Sequence, residues 1–212
     1  MKLLIQLARI LVGGLFVFSG FVKLVDPIGS QYKFQEYFSE SVLNIEFLIP
    51  YALPFAILLI VAEILLGVMI LIGYKSKLTV WSLFVLTLIF LFLTWYSAYY
   101  NKVTDCGCFG DAIKLSTWET FYKNVILIVL IVFLLIKVAH IKPIFKGKIP
   151  KLITFLSLAG FLFIVQHVLT HLPFIDFRAY AIGKNLQDGM QYPEDGSIAP
   201  VHDFMLEDAQ AD

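Results

Sequence analysis

Residues 51–73, YALPFAILLIVAEILLGVMILIG, decide the fold. At 1.5 Å per residue, a helix of this length spans the ~30 Å of bilayer hydrocarbon. Pro54 falls in the first turn, where its missing N–H costs little, and Gly73 closes the run. The one charged residue, Glu63, lies near the midpoint. Composition agrees with a membrane setting: 59% of the chain is hydrophobic and only 15% is charged, against about 25% charged in ordinary globular chains. Net charge is zero, so no overall basic pull toward nucleic acid exists.

Outward from this run, four more spans are expected. Residues 3–22 form an apolar stretch interrupted by Gln6 and Arg9. It reads as a retained first span rather than a cleaved signal peptide, because no small-x-small site follows and the run leads into Lys23. Ser19-Gly20 would let another helix pack closely. Between Asp26-Pro27 and Pro50, Tyr32, Phe34, Tyr37 and Phe38 alternate with polar residues, which predicts a short interfacial helix. Lys75 and Lys77 make so short a connection that the third span, about 78–99, must be antiparallel to the second. It ends in an aromatic belt of Trp95, Tyr96, Tyr99 and Tyr100. Ser116 and Glu119 fit a capping box, so the fourth span starts near 117 and runs to about 138. Pro143 and Pro150 exclude a continuous helix through the next, lysine-rich connection. The fifth span is about 151–171, stopped by Pro173. The fold class expected is an all-α integral membrane protein: an antiparallel four-helix transmembrane bundle, a fifth transmembrane helix and a periplasmic tail. Three segments follow: a core over 1–140, a basic cytoplasmic loop with the fifth span over 141–172, and a tail over 173–212. After Lys184 the tail has seven acids and no lysine or arginine; it reads as a short arm or the first part of a longer domain.

Sidedness comes from the basic residues. With the N-terminus inside, Lys2, Arg9, Lys75, Lys77, Lys137, Lys142, Lys146, Lys148 and Lys151 lie on or near the cytoplasmic side, nine of the sixteen basic residues, as the positive-inside rule requires. Five spans then place the loop over 101–116 and the tail outside. In a bacterial inner membrane that side is the oxidising periplasm.

The outer loop contains Asp105-Cys106-Gly107-Cys108-Phe109-Gly110-Asp111 and both cysteines of the chain. Gly107 and Gly110 allow a tight backbone turn. A disulfide across so short a loop returns only ~1.6 kcal/mol of chain entropy before strain is subtracted. It is a poor staple and a suitable reversible pair, since strained, exposed disulfides are the labile ones. The alternatives are inert buried thiols, a static loop clip, or a soft-metal site completed by Asp105, Asp111 or His171, although no second Cys/His pair is present.

Ser19-Gly20-Phe21-Val22-Lys23 followed by Asp26-Pro27, and Glu63 with Gly67 and Gly73 after it, resemble the DoxX-like family of small bacterial membrane proteins. Cys106-Gly107-Cys108-Phe109-Gly110 resembles its MauE-like branch, and the fifth span and tail resemble longer bacteroidete members. The resemblance covers about residues 5–140. It implies a four-helix membrane bundle tied to periplasmic disulfide or electron-transfer chemistry, and for MauE a link to maturation of a disulfide-rich dehydrogenase beside a thioredoxin-like partner.

The candidate site residues are Cys106, Cys108, Lys123, Glu63 and Lys23. A positive charge and a helix N-terminus both stabilise a thiolate, which gives Lys123 and Lys23 a role beside the cysteines; the competing reading for both is a snorkelling lysine. A mid-span carboxyl is costly and expected to face the bundle interior. Glu63 would relay protons, hydrogen-bond a quinone head group, or, protonated, tie one helix to another. His167 and His171, spaced i, i+4 on the fifth span, share one face; without further ligands they suit hydrogen bonding better than metal binding. No resident metal is expected, and a quinone is the candidate cofactor. Two functions compete. One is a thiol–disulfide oxidoreductase that exchanges disulfides with a periplasmic, thioredoxin-like partner. The other is a non-enzymatic membrane subunit anchoring an envelope complex. A solute or proton pathway through Glu63 is disfavoured, because the spans carry few other polar groups.

Overall fold

A computed structural model of the chain describes residues 2–100, 102–103, 107–110, 112–113, 115–171, 173 and 175–177. The chain divides into two compact units, residues 1–174 and 175–212, and every described helix belongs to the first. Most of the acidic tail, together with Asp105, Cys106 and Asp111, lies outside the described residues.

The order of elements is α1 (Lys2–Val25), α2 (Pro27–Phe38), a 3₁₀ turn (Glu46–Tyr51), α3 (Ala52–Ile72), α4 (Ser76–Tyr100), α5 (Thr117–Ile136), a second 3₁₀ turn (Val138–His140) and α6 (Ile149–Thr170). Among the described residues, five helices are long and apolar enough to cross a membrane. The caps explain several boundaries. Asp26 accepts a hydrogen bond from the Gly29 N–H (3.1 Å) and Pro27 begins α2. At α5, Ser116 Oγ accepts from the Glu119 N–H (3.3 Å) while the Glu119 carboxylate accepts from the Ser116 N–H (2.8 Å), the reciprocal box its sequence predicts. The fifth span starts earlier than expected, because Pro150 is tolerated in the first turn of α6.

The closest helix pair is α1 with α3. Arg9 meets Leu71 near one end, and Gly20 meets Ile64 further along, so these two helices run in opposite senses. A Cβ on Gly20 would lie 2.7 Å from the Ile64 Cβ and 2.9 Å from its backbone nitrogen; only glycine permits this approach. One apolar cluster joins four helices through Val12, Phe16, Ile70, Leu83, Leu127 and Ile131. A second joins α1, α3 and α6 through Leu24, Ile60, Ile64 and Val165. The remaining face of α6 exposes Leu152, Phe155, Leu156 and Phe163. A continuous apolar surface of this kind suits hydrocarbon as its solvent.

Arg9, counted by its charge among the basic residues of the cytoplasmic side, is 2% exposed within α1. Its guanidinium donates to the carbonyl oxygens of Leu71 and Lys142. It thereby satisfies a carbonyl at the C-terminal end of α3 and draws in the connection after α5. That connection is also held by the Ile144 N–H donating to the Ile72 carbonyl (3.0 Å).

Candidate functional site

The site is built around one turn of α1. Ser19 and Lys23, four residues apart, share a helix face. Ser19 Oγ donates to the Cys108 carbonyl (2.6 Å), and Lys23 Nζ donates to Ser19 Oγ (3.2 Å) and to Glu63 Oε2 (2.7 Å). The three side chains are almost wholly buried. Glu63 faces the interior, as its mid-span position predicts, and its partner on another helix is the Lys23 ammonium. Lys23 is buried, and its ammonium is paired within the bundle. The Phe90 ring lies 5.3 Å from the same ammonium.

The described loop residues sit on this group. Gly107 and Gly110 have φ of +62° and +50°, the left-handed region that glycine enters without a steric cost. The turn between them drives Phe109 inward, where it packs on Phe18 (centroids 5.6 Å apart). Lys123 Nζ lies 4.3 Å from the centroid of the Phe109 ring, close enough for a cation–π contact. Cys108 is a free, half-buried cysteine. Among the described residues neither ammonium donates a hydrogen bond to its thiol.

Two cavities flank Cys108. One, of about 60 Å³, is walled by Lys23, Ser30, Lys33, Tyr37, Thr94 and Cys108 among others. The other, of about 20 Å³, lies between Ser19, Glu63, Thr87, Asn124 and Cys108. A water needs about 10–15 Å³ of such space, so the smaller has room for one water and the larger for several. No three His, Cys, Asp or Glu side chains converge among the described residues; Cys106, Asp105 and Asp111 are not among those. His167 and His171 stack on each other with ring centroids 4.7 Å apart, and His171 Nδ1 shares a hydrogen bond with Thr170 Oγ1 (2.8 Å).

Residues 1–137 match the model of the family described as methylamine utilisation protein MauE. The chain belongs to the MauE family. No curated protein and no solved structure matches it. The matched MauE region holds α1 to α5, and with them every described residue of the site.

Sequence reasoning singled out Lys23, Glu63, Cys108 and Lys123, and the structure brings these into one neighbourhood. It did not single out Ser19 as a ligand of the loop, nor Thr87, Asn124 or Phe109. The four-residue spacing of Ser19 and Lys23 was a usable signal, and so was an asparagine inside an apolar helix. Asn124 Nδ2 donates to Thr94 Oγ1 (3.3 Å), joining α5 to α4. Thr87 carried no comparable signal, because serine and threonine usually satisfy themselves on their own helix.

Proposed function

We propose that this MauE-family chain is a non-enzymatic membrane subunit that holds an envelope partner at the loop containing Cys106 and Cys108. The observation that carries the reading is how the loop is held. Ser19 grips its main chain at Cys108, Phe109 anchors it in the bundle, and the two nearby ammonium groups are engaged by Glu63 and by the Phe109 ring. The turn over residues 107–110, held at Cys108 and Phe109, offers a partner a defined shape, and these contacts require no chemistry at sulfur. The family description names methylamine utilisation alone, and the membrane setting rests on the five long apolar helices.

In this proposal residues 1–140 form an antiparallel four-helix bundle. Residues 141–172 are a basic cytoplasmic loop and a fifth span, and residues 173–212 are an acidic tail. The N-terminus is cytoplasmic, with the Cys loop and tail in the periplasm of a bacterial inner membrane; the lysine-rich connections support this sidedness. Lys77→Cys and Lys102→Cys, each in a Cys106→Ser/Cys108→Ser background, should label from opposite sides with an impermeant maleimide. Labelling of both from the same side would overturn this topology.

A second reading is favoured by one observation, the free and half-buried state of Cys108. Here Cys106 and Cys108 as a dithiol reduce a partner disulfide. Two electrons and two protons pass to the partner, a mixed disulfide forms and resolves, and the pair becomes a disulfide that a second thiol protein or a quinol must reduce. Co-purification of the partner from membranes separates the two. Under the subunit reading, Phe109→Ala loses the partner and Cys106→Ser/Cys108→Ser keeps it. Loss of the partner in the double serine variant, with a mixed disulfide trapped by either single variant, would put the exchange reading in its place.

A further inference from the structure

The smaller cavity contains an unsatisfied group. Thr87 Oγ1 is the one buried side-chain nitrogen or oxygen among the described residues that has no hydrogen-bond partner, and Thr87 is 1% exposed. Other threonines on these helices behave differently. Thr79, Thr94, Thr120 and Thr154 each donate to the carbonyl four residues back. Thr87 gives up that bond and instead walls the 20 Å³ cavity with Ser19, Glu63, Asn124 and Cys108. Leaving a buried hydroxyl unpaired costs about 1–3 kcal/mol, and hydrocarbon offers it nothing in return. Glu63 also lines this cavity, and its Oε2 is taken by Lys23. Its other oxygen receives no hydrogen bond from the described residues.

We propose that this cavity is a binding site for one water molecule, held by Thr87 Oγ1 and Glu63 Oε1, and that the water carries a proton between the Cys108 thiol and the Glu63 carboxylate. The volume admits one water. The proton step balances: Cys108 S–H gives its proton to the water, the water gives one to Glu63 Oε1, and a thiolate and a neutral carboxylic acid result. Lys23 then has a thiolate rather than a carboxylate as the nearby anion. The total charge of Lys23, Glu63 and Cys108 is zero before and after, which matters where an uncompensated charge is costly. The charged and titratable groups lining the cavity are Glu63 on α3, Lys123 on α5 and Cys108 itself; Lys23 adjoins it through its bonds to Ser19 and Glu63, and α4 contributes Thr87 and Phe90, which do not titrate. Lys23 and Thr87 are positioning residues in this scheme. The water site stands without the thiol-exchange reading, whereas the proton step rests on it.

The test uses the full chain in nanodiscs, with Cys106→Ser so that Cys108 is the one thiol and no partner is needed. Thr87→Val should lower the melting temperature by about 2–4 °C, the shift a lost bond of roughly 1 kcal/mol makes in a chain of this size, while Thr87→Ser should hold it. A rise on Thr87→Val means that an orphan hydroxyl was removed from a dry cavity, and overturns the water site. Alkylation of Cys108 by N-ethylmaleimide follows the thiolate. Thr87→Val, which leaves every charge around Cys108 in place, should slow it severalfold, and Thr87→Ser should not. Wild-type rates in Thr87→Val overturn the proton route. Because alkylation needs no disulfide partner, failure of partner exchange in cells leaves these results unaffected.

Discussion

Helix α1 buries a cation toward each end, and the two are satisfied in different ways. Arg9 spends its guanidinium on the backbone carbonyls of Leu71 and Lys142. Lys23 spends its ammonium on a side-chain carboxylate and a serine hydroxyl. The residues are about 21 Å apart along the helix at 1.5 Å per residue. Backbone carbonyls are fixed in place and take no proton, so the Arg9 end is a staple. A carboxylate can accept a proton, and the Lys23 end also adjoins two cavities and the Cys108 carbonyl. Of the two ends, the loop end alone offers a proton acceptor beside its buried cation.

The largest effect should come from separating the buried pair. Glu63→Leu leaves Lys23 as an uncompensated charge and should cost about 3–5 kcal/mol. Adding Lys23→Met should recover most of that loss, because a buried pair replaced by apolar residues of similar size is often neutral or stabilising. Melting followed by size-exclusion chromatography reads both. If the double variant is as unstable as Glu63→Leu, the pair is not the interaction that was broken. Arg9→Met comes next. It removes charge-assisted bonds worth about 1.5–3 kcal/mol, and no second substitution should rescue it, since the stranded partners are carbonyls. Rescue by any neutral change in α3 would erase the contrast between the two ends.

The spans, the capping box and the inward Glu63 were legible because each has a local cause. Apolar length, a Ser-x-x-Glu spacing and the cost of a mid-span carboxyl act within a few residues of sequence. Which cation meets Glu63 was not legible. Lys23 is 40 residues away, and its pairing depends on the closeness of α1 and α3 at Gly20, which packing decides. The role of Arg9 was hidden for a related reason. Charge placed it correctly toward one end of the bundle, but a count of basic residues cannot distinguish a solvated lysine from an arginine that caps another helix. Thr87 was invisible, because its significance lies in a bond it fails to make.

A smaller effect belongs to Ser19. Ser19→Ala removes the donor to the Cys108 carbonyl and one of the two acceptors of Lys23. A neutral bond of this kind contributes about 0.5–1.5 kcal/mol, and the loss rises toward the cost of an unpaired group if the carbonyl stays buried. The global melting temperature should therefore move less than in either preceding variant, while amide hydrogen exchange over 107–110 should quicken. The loop has its other attachment in Phe109, so it should loosen without detaching.

The smallest effect should come from Ser116, at the far side of the same loop. Ser116→Ala removes the hydroxyl that accepts from the Glu119 N–H and donates to the Glu119 carboxylate. Loss of an N-cap serine typically costs about 1 kcal/mol, and an exposed cap can give less. Its meaning lies in the comparison with Ser19→Ala. Ser19 holds the loop from the bundle interior, whereas Ser116 only starts the helix that follows. If the loop is positioned from within, Ser116→Ala should fray the first turn of α5 and leave hydrogen exchange over 107–110 unchanged. Faster exchange there in Ser116→Ala than in Ser19→Ala would mean that the helix start, rather than the Ser19–Lys23–Glu63 group, sets the position of Cys108.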